Sequence, residues 1–365
     1  EFYTHDGDKV EWIEEESFFF RLSDYQEKLI DYYNKNPNFI RPLSRMNEVK
    51  SFVNSGLKDL SISRTSFSWG IKIPNSTNHI MYVWIDALTN YLTSLDYPNT
   101  DSQKFFFWKN CLHIIGKDIL KFHAIYWPAM LMATNLPMPK SIFAHGWWTN
   151  EGKKISKSLG NTIDPNDLID KYGLDQFRYF LLREVSLGND GDYSETSFIN
   201  RINADLANSL GNLIQRTLKF VDKNFDNNLP YNLKDELNSS EIILNTYKLV
   251  ENIDSLIKKY EIHKCLEEIF SQVNDLNKFI DKSEPWKTFK NTPQIAAKDL
   301  SILIECFRVI GIILQPFIPE SSEKILNYLN IDKAQRTIKF CNKKFALKKN
   351  HVLTKSEPLF PRYES

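Results

Sequence analysis

The chain has few cysteines, and their spacing excludes the common metal-binding patterns. Its 365 residues contain four cysteines, at positions 111, 265, 306 and 341. No two of them form a CxxC pair, and no histidine lies at the spacing of a zinc knuckle. The sequence therefore predicts no structural zinc site. We expect buried thiols in a reducing, cytoplasmic environment.

Long apolar runs and an excess of charge are also missing. Lys and Arg together count 46, as do Asp and Glu, so the formal net charge is zero. This balance argues against a generic polyanion binder, and the lack of a long apolar stretch argues against a membrane span. No signal peptide is visible, and the chain begins at Glu1 rather than at Met. We therefore expect a fragment that lacks an N-terminal part.

The residues that are present predict two kinds of fold. Hydrophobic residues make up 42% of the chain and aromatic residues 13%, which is enough for a substantial core. Short apolar runs at 81–84 and 112–115 are each followed by a helical pattern, which predicts strands in βαβ units with a parallel sheet. From about residue 198, apolar residues recur at helical spacing, which predicts a separate helical bundle. The predicted fold class is α/β plus all-α.

The segment KISKS at 154–158 is the most informative motif. It lies between Gly152 and Gly160, and its two lysines are three residues apart, with Ile155 and Ser156 between them. Such a loop can close on a polyphosphate and leave again. Lys154 and Lys157 are candidates for stabilising negative charge on an α-phosphate and on pyrophosphate. A solvated charged loop is the alternative interpretation.

A second candidate site follows the apolar run at 112–115. Gly116 has no Cβ, so a ribose can approach its backbone closely, and Asp118 can accept hydrogen bonds from sugar hydroxyls. The alternative is an ordinary strand-to-helix turn in which Asp118 is an N-cap.

Aromatic residues at helical spacing predict a third site. Ile119, His123 and Trp127 lie at i, i+4 and i+8 of one predicted helix, and Trp84 and Tyr91 share a face of another. Indole, phenol and imidazole rings with one isoleucine suit a flexible thioether side chain. Packing within a plain hydrophobic core is the alternative.

Together these motifs resemble those of methionyl-tRNA synthetases, a family of class I aminoacyl-tRNA synthetases. The segment at 154–158 resembles the KMSKS signature, with Ile in place of Met. YVWIDA at 82–87, GKDILKFH at 116–123 and HGWW at 145–148 resemble this family specifically. The resemblance extends over essentially the whole chain.

The resemblance implies a ligase that forms methionyl-adenylate from methionine and ATP and transfers the methionyl group to tRNA(Met), initiator tRNA included. It implies that methionine contacts Trp84, Ala87, Tyr91, Ile119, His123 and Trp127. Gly116, Asp118 and His145 would contact ATP, and Lys154 and Lys157 its phosphates. Mg2+ would accompany ATP through the phosphates.

The resemblance also implies how tRNA is read. Asn208, Asn212 and Arg216 lie four residues apart on the polar face of a predicted helix at 203–220, and Trp286 follows Pro285. Asn and Arg can hydrogen-bond base edges, and an indole can stack on an unpaired base. Asn212, Arg216 and Trp286 are therefore the predicted anticodon contacts. Solvated polar side chains and a packed indole are the alternative.

The implied domains combine the second half of a Rossmann-like catalytic domain with a helical anticodon-binding bundle. They are the end of a connective insertion (1–60), the second half of the catalytic domain (61–147), the KMSKS loop and stem-contact region (148–197), the anticodon-binding bundle (198–335) and a basic C-terminal extension (336–365). The extension carries several lysines and is expected to be solvated, with contact to RNA as the alternative.

Two departures from the family pattern matter. Leu88 stands where some members have Pro, and the HIGH signature, with two histidines, is nowhere in the chain. The chain alone is therefore expected to be inactive in adenylation. A monomer is expected. Three alternatives remain open: another class I aminoacyl-tRNA synthetase, a non-catalytic tRNA-binding module and a nucleotidyltransferase that does not act on tRNA.

Overall fold

A computed structural model describes residues 14–156 and 160–364, together with the backbone of residues 2–3 and 9–10. Lys157 and Ser158 of the KISKS segment lie outside the described residues. The chain divides into two compact units between Trp147 and Trp148.

The first unit is built from short strands and four α-helices. In chain order its described elements are β1 (Phe2–Tyr3), β2 (Lys9–Val10), β3 (Phe19–Phe20), α1 (Gln26–Lys35), β4 (Ile40–Arg41), α2 (Leu43–Asn54), β5 (Leu60–Ser61), β6 (Ser63–Arg64), β7 (Ile80–Met81), α3 (Val83–Thr93), β8 (Leu112–Gly116), α4 (Trp127–Ala133) and β9 (Ser141–His145). A π-helical stretch, Phe122–Tyr126, leads into α4.

A parallel sheet organises this unit. Its strand order is β4-β9-β8, and both neighbouring pairs are parallel. Ile142 and Ala144 of β9 are fully buried, as expected for a strand covered on both faces. The predicted strand at 112–115 and the predicted parallel sheet are therefore confirmed.

The residues before position 60 join this sheet. Ile40 pairs with Ile142, and helices α1 and α2 bury Leu29, Tyr33 and Val53 in the same core. The predicted boundary at residue 60 thus does not separate two packing units. The two-residue strand β4 is too short to show a periodicity in the sequence.

The strand predicted at 81–84 is confirmed only at Met81. The ladder of β7 ends at Met81, Tyr82 has extended backbone, and α3 begins at Val83. Leu88 and Leu92 of α3 are buried at the i, i+4 spacing of a helix. A four-residue apolar run cannot distinguish a strand from the first turn of a buried helix.

The second unit has a small sheet and ten α-helices among its described residues. Its elements are β10 (Trp148–Asn150), β11 (Lys153–Lys154), α5 (Pro165–Tyr172), α6 (Leu174–Arg183), β12 (Gly191–Tyr193), α7 (Glu195–Arg201), α8 (Asn212–Phe225), α9 (Glu236–Ser239), α10 (Glu241–Lys258), α11 (Ile262–Ser283), α12 (Pro285–Asn291), α13 (Pro293–Leu314) and α14 (Pro319–Tyr328). A π-helical stretch, Ile202–Gly211, joins α7 to α8.

Helix α13 lies at the centre of this unit. Every residue from Asp299 to Leu314 is buried. Its Glu305 carboxylate accepts hydrogen bonds from the Arg308 guanidinium and from the Tyr247 hydroxyl. A helix that is buried on all sides is the core of a bundle. The helical half of the predicted fold class is therefore confirmed.

The C-terminal segment differs from the expected solvated extension. Cys341, Leu347, Leu353 and Leu359 are buried in the core of the second unit, although Lys343, Lys344, Lys348 and Lys349 are exposed. The Leu347 backbone N–H also donates to Glu305 Oε2 at 3.0 Å. The segment is part of the bundle, because its apolar residues reach the core between exposed lysines. These apolar residues have no regular spacing in the sequence.

Within the described residues, no helix is long and apolar enough to cross a membrane. In the same part of the chain, no group of three His, Cys, Asp or Glu side chains is arranged to hold a metal ion.

Candidate functional site

An aromatic cluster forms where α3 meets the π-helical stretch. Trp84, Ala87 and Tyr91 share one face of α3 at i, i+3 and i+7. Ala87 is exposed, and Trp84 and Tyr91 are half-buried. The cluster is therefore open to solvent on the α3 side, as a side-chain pocket must be.

His123 is held at the centre of this cluster by two hydrogen bonds. Its Nδ1 lies 3.0 Å from the Ile119 carbonyl oxygen, and its Nε2 lies 2.9 Å from the Tyr91 hydroxyl. Because a carbonyl can only accept, Nδ1–H donates, and in the neutral ring Nε2 accepts the Tyr91 proton. Burial lowers the pKa of His123, so the imidazole is neutral near pH 7.

Trp127 lies deeper in the same cluster. It is only 1% exposed, and its ring contacts Tyr91 at 6.5 Å and Trp108 at 6.1 Å between centroids. Among the described residues, Trp127 Nε1 and His113 Nε2 are buried with no hydrogen-bond partner. Two unsatisfied polar atoms beside one ring cluster are unusual for plain core packing.

The sequence analysis did not assign His113 or Phe122 to this site. The His113 ring lies 4.2 Å from the Tyr91 ring, and burial followed by the neighbouring His123 lowers the pKa of His113 to about 4. Phe122 stacks on Trp84 at 3.9 Å with an interplanar angle of 14°. The helix predicted from Ile119 to Trp127 is not a regular α-helix, because Phe122–Tyr126 is π-helical.

The predicted ribose site lies at the carboxyl ends of two parallel strands. Gly116 of β8 is paired with His145 of β9. A Cβ on Gly116 would lie 2.6 Å from Asp118 Oδ1, so only glycine leaves Asp118 in its position. The same Asp118 oxygen accepts a hydrogen bond from Trp147 Nε1 at 3.2 Å. Ligands of open α/β sheets bind at this edge.

His145 has a defined orientation at this edge. Its Nδ1–H donates to the Gly146 carbonyl oxygen at 2.8 Å, so Nε2 of the neutral ring is an acceptor. Lys117 Nζ lies 4.3 Å from the centroid of the Trp147 ring, in a cation–π contact. Trp147 thus contacts both Asp118 and Lys117. It belongs to the HGWW segment but was not among the predicted site residues.

In the second unit, Lys154 ends a tight hairpin. Strands β10 and β11 are antiparallel, and the two residues between them, Glu151 and Gly152, have φ angles of 51° and 74°. Two positive φ angles are typical of a type I′ turn. The Asp192 carboxylate accepts hydrogen bonds from the Gly152 N–H at 2.8 Å and the Thr149 hydroxyl at 2.6 Å, which lower its pKa.

Asn161 closes the base of the KISKS segment. Its side-chain amide donates to the Lys154 carbonyl oxygen at 3.0 Å and accepts from the Ser156 N–H at 2.9 Å. Its own carbonyl oxygen accepts from Asn150 Nδ2 at 3.0 Å. Lys154 is exposed, whereas Lys157 lies outside the described residues. Asn161 was missed because a single Asn after a loop carries no distinctive pattern.

The predicted anticodon residues lie on two of three helices that are in contact. The Arg216 guanidinium of α8 donates to Asp281 Oδ1 at 2.7 Å and to Asn277 Oδ1 at 3.0 Å, and both acceptors are on α11. Phe289 of α12 packs edge-on against Phe220 of α8 at 5.7 Å.

Trp286 and Asn212 are both accessible. Trp286 is 39% exposed in the first turn of α12, which begins at Pro285. Asn212 is exposed at the start of α8, four residues before Arg216. The helix predicted at 203–220 is a π-helix up to Gly211 and an α-helix afterwards.

Two known family models match this chain. Residues 4–218 match the family described as tRNA synthetases class I (M), and residues 233–365 match the anticodon binding domain of methionyl tRNA ligase. The methionine–tRNA ligase of Rickettsia felis is 49% identical over 361 residues, which are 98% of this chain and 70% of that protein. The chain belongs to the methionine–tRNA ligase family.

Other members of the family agree. The enzyme of Brucella suis is 48% identical over 99% of this chain and 70% of its own length. The structure of Mycobacterium tuberculosis methionyl-tRNA synthetase in complex with methionyl-adenylate superimposes with a TM-score of 0.92 and 44% identity, over 98% of this chain and 71% of that one. The resemblance seen in the sequence is thereby confirmed.

Proposed function

We propose that the residues described above contribute the methionine, nucleotide and tRNA contacts of a methionine–tRNA ligase. In the first step the methionine carboxylate attacks the α-phosphorus of ATP, and pyrophosphate leaves. In the second step a terminal ribose hydroxyl of tRNA(Met) attacks the methionyl carbonyl, and AMP leaves. The structure in complex with methionyl-adenylate belongs to a family member that is 44% identical.

The observation that carries the methionine assignment is the ring cluster around the Tyr91–His123 hydrogen bond. Trp84, Ala87, Tyr91, Ile119, His123 and Trp127 are the proposed pocket residues. A thioether packs favourably against ring edges, and its flexible chain can follow an irregular surface. Because His123 is neutral and already hydrogen-bonded on both ring nitrogens, the pocket offers sulfur a polarisable surface rather than a charge.

The nucleotide assignment rests on the strand ends. The exposed Asp118 carboxylate can accept hydrogen bonds from ribose hydroxyls, Gly116 lets the sugar approach the backbone, and His145 presents Nε2 as an acceptor. Lys154 and Lys157 are proposed to stabilise the negative charge that develops on the phosphates. The substrate is ATP with Mg2+, and the ion is held mainly by phosphate oxygens.

The tRNA assignment rests on the exposed Asn212, the half-exposed Trp286 and the oriented Arg216. Amide and guanidinium groups can read the edges of unpaired bases, and an accessible indole can stack on one of them. Asp281 and Asn277 hold the guanidinium of Arg216 in one orientation, so little side-chain entropy is lost on binding.

We also propose that these 365 residues alone do not form adenylate, because no HxGH sequence is among them. The chain is proposed to act as a monomer in the cytoplasm. The four cysteines, which are all free thiols, are compatible with a reducing compartment.

ATP–pyrophosphate exchange tests the proposal. The chain alone should give no methionine-dependent exchange. A chimera completed with the part of the Rickettsia felis relative that this chain does not cover should exchange with methionine. Leucine, isoleucine, valine and cysteine should not replace methionine. Robust exchange by the chain alone would contradict its proposed inactivity, and exchange driven equally by leucine would contradict the pocket assignment.

A further inference from the structure

The indole of Trp147 lies at the edge of the parallel sheet, and the methionine, nucleotide and tRNA assignments leave it without a role. It follows β9, which ends at His145. Its side chain is 44% exposed, so the ring is not enclosed in a hydrophobic core. Its position is instead defined by Lys117 and Asp118, which come directly after β8.

Trp147 contacts these two neighbours with different parts of its ring system. The Nε1–H at the ring edge donates to Asp118 Oδ1 at 3.2 Å, and Lys117 Nζ lies over the ring face, 4.3 Å from the centroid. A cation over the face of an indole is attracted by the ring quadrupole. The ring is therefore held from two sides, and its N–H keeps one direction, toward the Asp118 carboxylate.

Asp118 gains a defined orientation from this contact. Its side chain is exposed, and an exposed carboxylate can occupy several rotamers, of which only some suit a given ligand. The backbone of Gly116 leaves space for Oδ1, since a Cβ there would lie 2.6 Å from this oxygen. The space beside Gly116 and the Trp147 N–H together select one orientation, which reduces the entropy that Asp118 loses on binding.

The indole is also a suitable donor for a carboxylate that must bind a sugar. A carboxylate has about four acceptor positions on its two oxygens, so a single N–H leaves about three for ribose hydroxyls. Because the indole is neutral, the Asp118 carboxylate keeps its negative charge, and the hydrogen bonds that it accepts from hydroxyls are charge-assisted. A guanidinium in the same place would compete with the sugar for both oxygens.

We propose that Trp147 is a positioning residue of the nucleotide site, whose indole N–H holds Asp118 in the orientation that accepts hydrogen bonds from the ribose hydroxyls of ATP. This role rests on the proposed nucleotide site and adds to it a residue that acts through Asp118. The effect of Trp147 on ATP binding must therefore depend on both the ribose hydroxyls and the Asp118 carboxylate.

Calorimetric titration of the chain with ATP and with 2′,3′-dideoxy-ATP, which lacks both ribose hydroxyls, tests this role. Trp147→Phe keeps an aromatic ring for Lys117 but removes the N–H. It should weaken ATP binding about fivefold, the loss expected for one typical hydrogen bond, and leave binding of the dideoxy analogue unchanged. Equal weakening for both ligands would overturn the proposal, because the ring would then act on another part of the nucleotide or on the fold.

A double-mutant cycle tests whether Trp147 acts through Asp118. In an Asp118→Ala background, Trp147→Phe should cause no further loss of ATP affinity, and additive losses would contradict the proposed role. Trp69→Phe is the matched control, since Trp69 belongs to the same unit and its side chain is 88% exposed. It should bind ATP as the unmodified chain does. A loss equal to that of Trp147→Phe would show that any indole lost from this unit has the same effect.

The two ligands also separate failure of this role from failure of the proposed nucleotide site. If the unmodified chain prefers ATP to the dideoxy analogue and Trp147→Phe changes neither affinity, Asp118 binds the ribose without help from Trp147, and only the positioning role is wrong. If the unmodified chain binds both ligands equally, or binds neither, the assignment of Asp118 to the ribose itself fails.

Discussion

The Tyr91 hydroxyl donates a hydrogen bond of 2.9 Å to His123 Nε2, and this bond joins the two helical segments that form the aromatic cluster. Removing it with Tyr91→Phe leaves a buried acceptor without its partner. We expect methionine affinity to fall about fivefold, which corresponds to the roughly 1 kcal/mol of a typical hydrogen bond. Quenching of tryptophan fluorescence by methionine measures the change.

Tyr97→Phe is the matched control for that variant. Tyr97 packs against Phe105 in the same aromatic cluster. It should keep the affinity of the unmodified chain. Equal losses in Tyr97→Phe and Tyr91→Phe would show that the Tyr91–His123 bond has no specific part in the pocket.

Gly116→Ala should impair the nucleotide site without changing the methionine pocket. The new Cβ would lie 2.6 Å from Asp118 Oδ1, so the carboxylate must leave its position. We expect ATP binding, measured by calorimetry, to weaken by about tenfold, as for the loss of a charged hydrogen bond. Methionine binding should stay unchanged.

A double-mutant cycle makes this prediction specific. If the alanine acts by displacing Asp118, then Gly116→Ala should have no further effect in an Asp118→Ala background. Additive losses of affinity would mean that Gly116 contributes by another route.

Asn161→Ala should open the base of the KISKS segment. The Asn161 side chain bonds the backbone of Lys154 and of Ser156, so its removal breaks two hydrogen bonds. Trypsin should then cleave after Lys154 several times faster, because cleavage requires local opening of the backbone. Asn166→Ala is the control, since the Asn166 amide donates locally to Asp164. The same cleavage rate in both variants would show that the Asn161 side chain does not hold the KISKS segment in place.

The buried histidines make stability depend on pH. The pKa of His113 is lowered to about 4 and that of His123 is also lowered, both mainly by burial. The unfolded chain therefore binds more protons than the folded one below the ordinary histidine pKa of about 6.5. The stabilisation is complete above this pH and is lost as pH falls, by up to about 1.4 kcal/mol per unit for each histidine.

Thermal unfolding between pH 7 and pH 5 measures this dependence. The Tm should fall as pH decreases, and His113→Gln should flatten the curve, because it removes one of the two groups that must take up a proton. A curve for His113→Gln as steep as that of the unmodified chain would contradict the buried, neutral state of His113.

The site motifs could be predicted from sequence because each is local. KISKS, Gly116–Asp118, the pair Trp84 and Tyr91, and the pair Ile119 and His123 each lie within a short segment whose chemistry can be read directly. The π-helical turn could not be predicted, because no residue type marks a change from i+4 to i+5 hydrogen bonding. Phe122 was missed for that reason.

Contacts between segments that are distant in the sequence could not be predicted either. Strand β4 has two residues and gives no periodic signal, yet Ile40 pairs with Ile142 in the central sheet. Likewise, Leu347 reaches the bundle core between exposed lysines, and its backbone bonds the buried Glu305. Ile40 and Ile142 are 102 positions apart in the sequence, and Leu347 and Glu305 are 42 positions apart. Only the folded chain shows that these residues are in contact.

Charging of tRNA is the most direct test of the central claim that this chain carries the specificity of a methionine–tRNA ligase. The chimera should attach labelled methionine to a tRNA with a CAU anticodon. It should lose this activity when Lys154→Ala removes the proposed phosphate contact, and it should discriminate against a CAC anticodon. Charging with leucine as efficiently as with methionine, or indifference to the anticodon, would contradict the account.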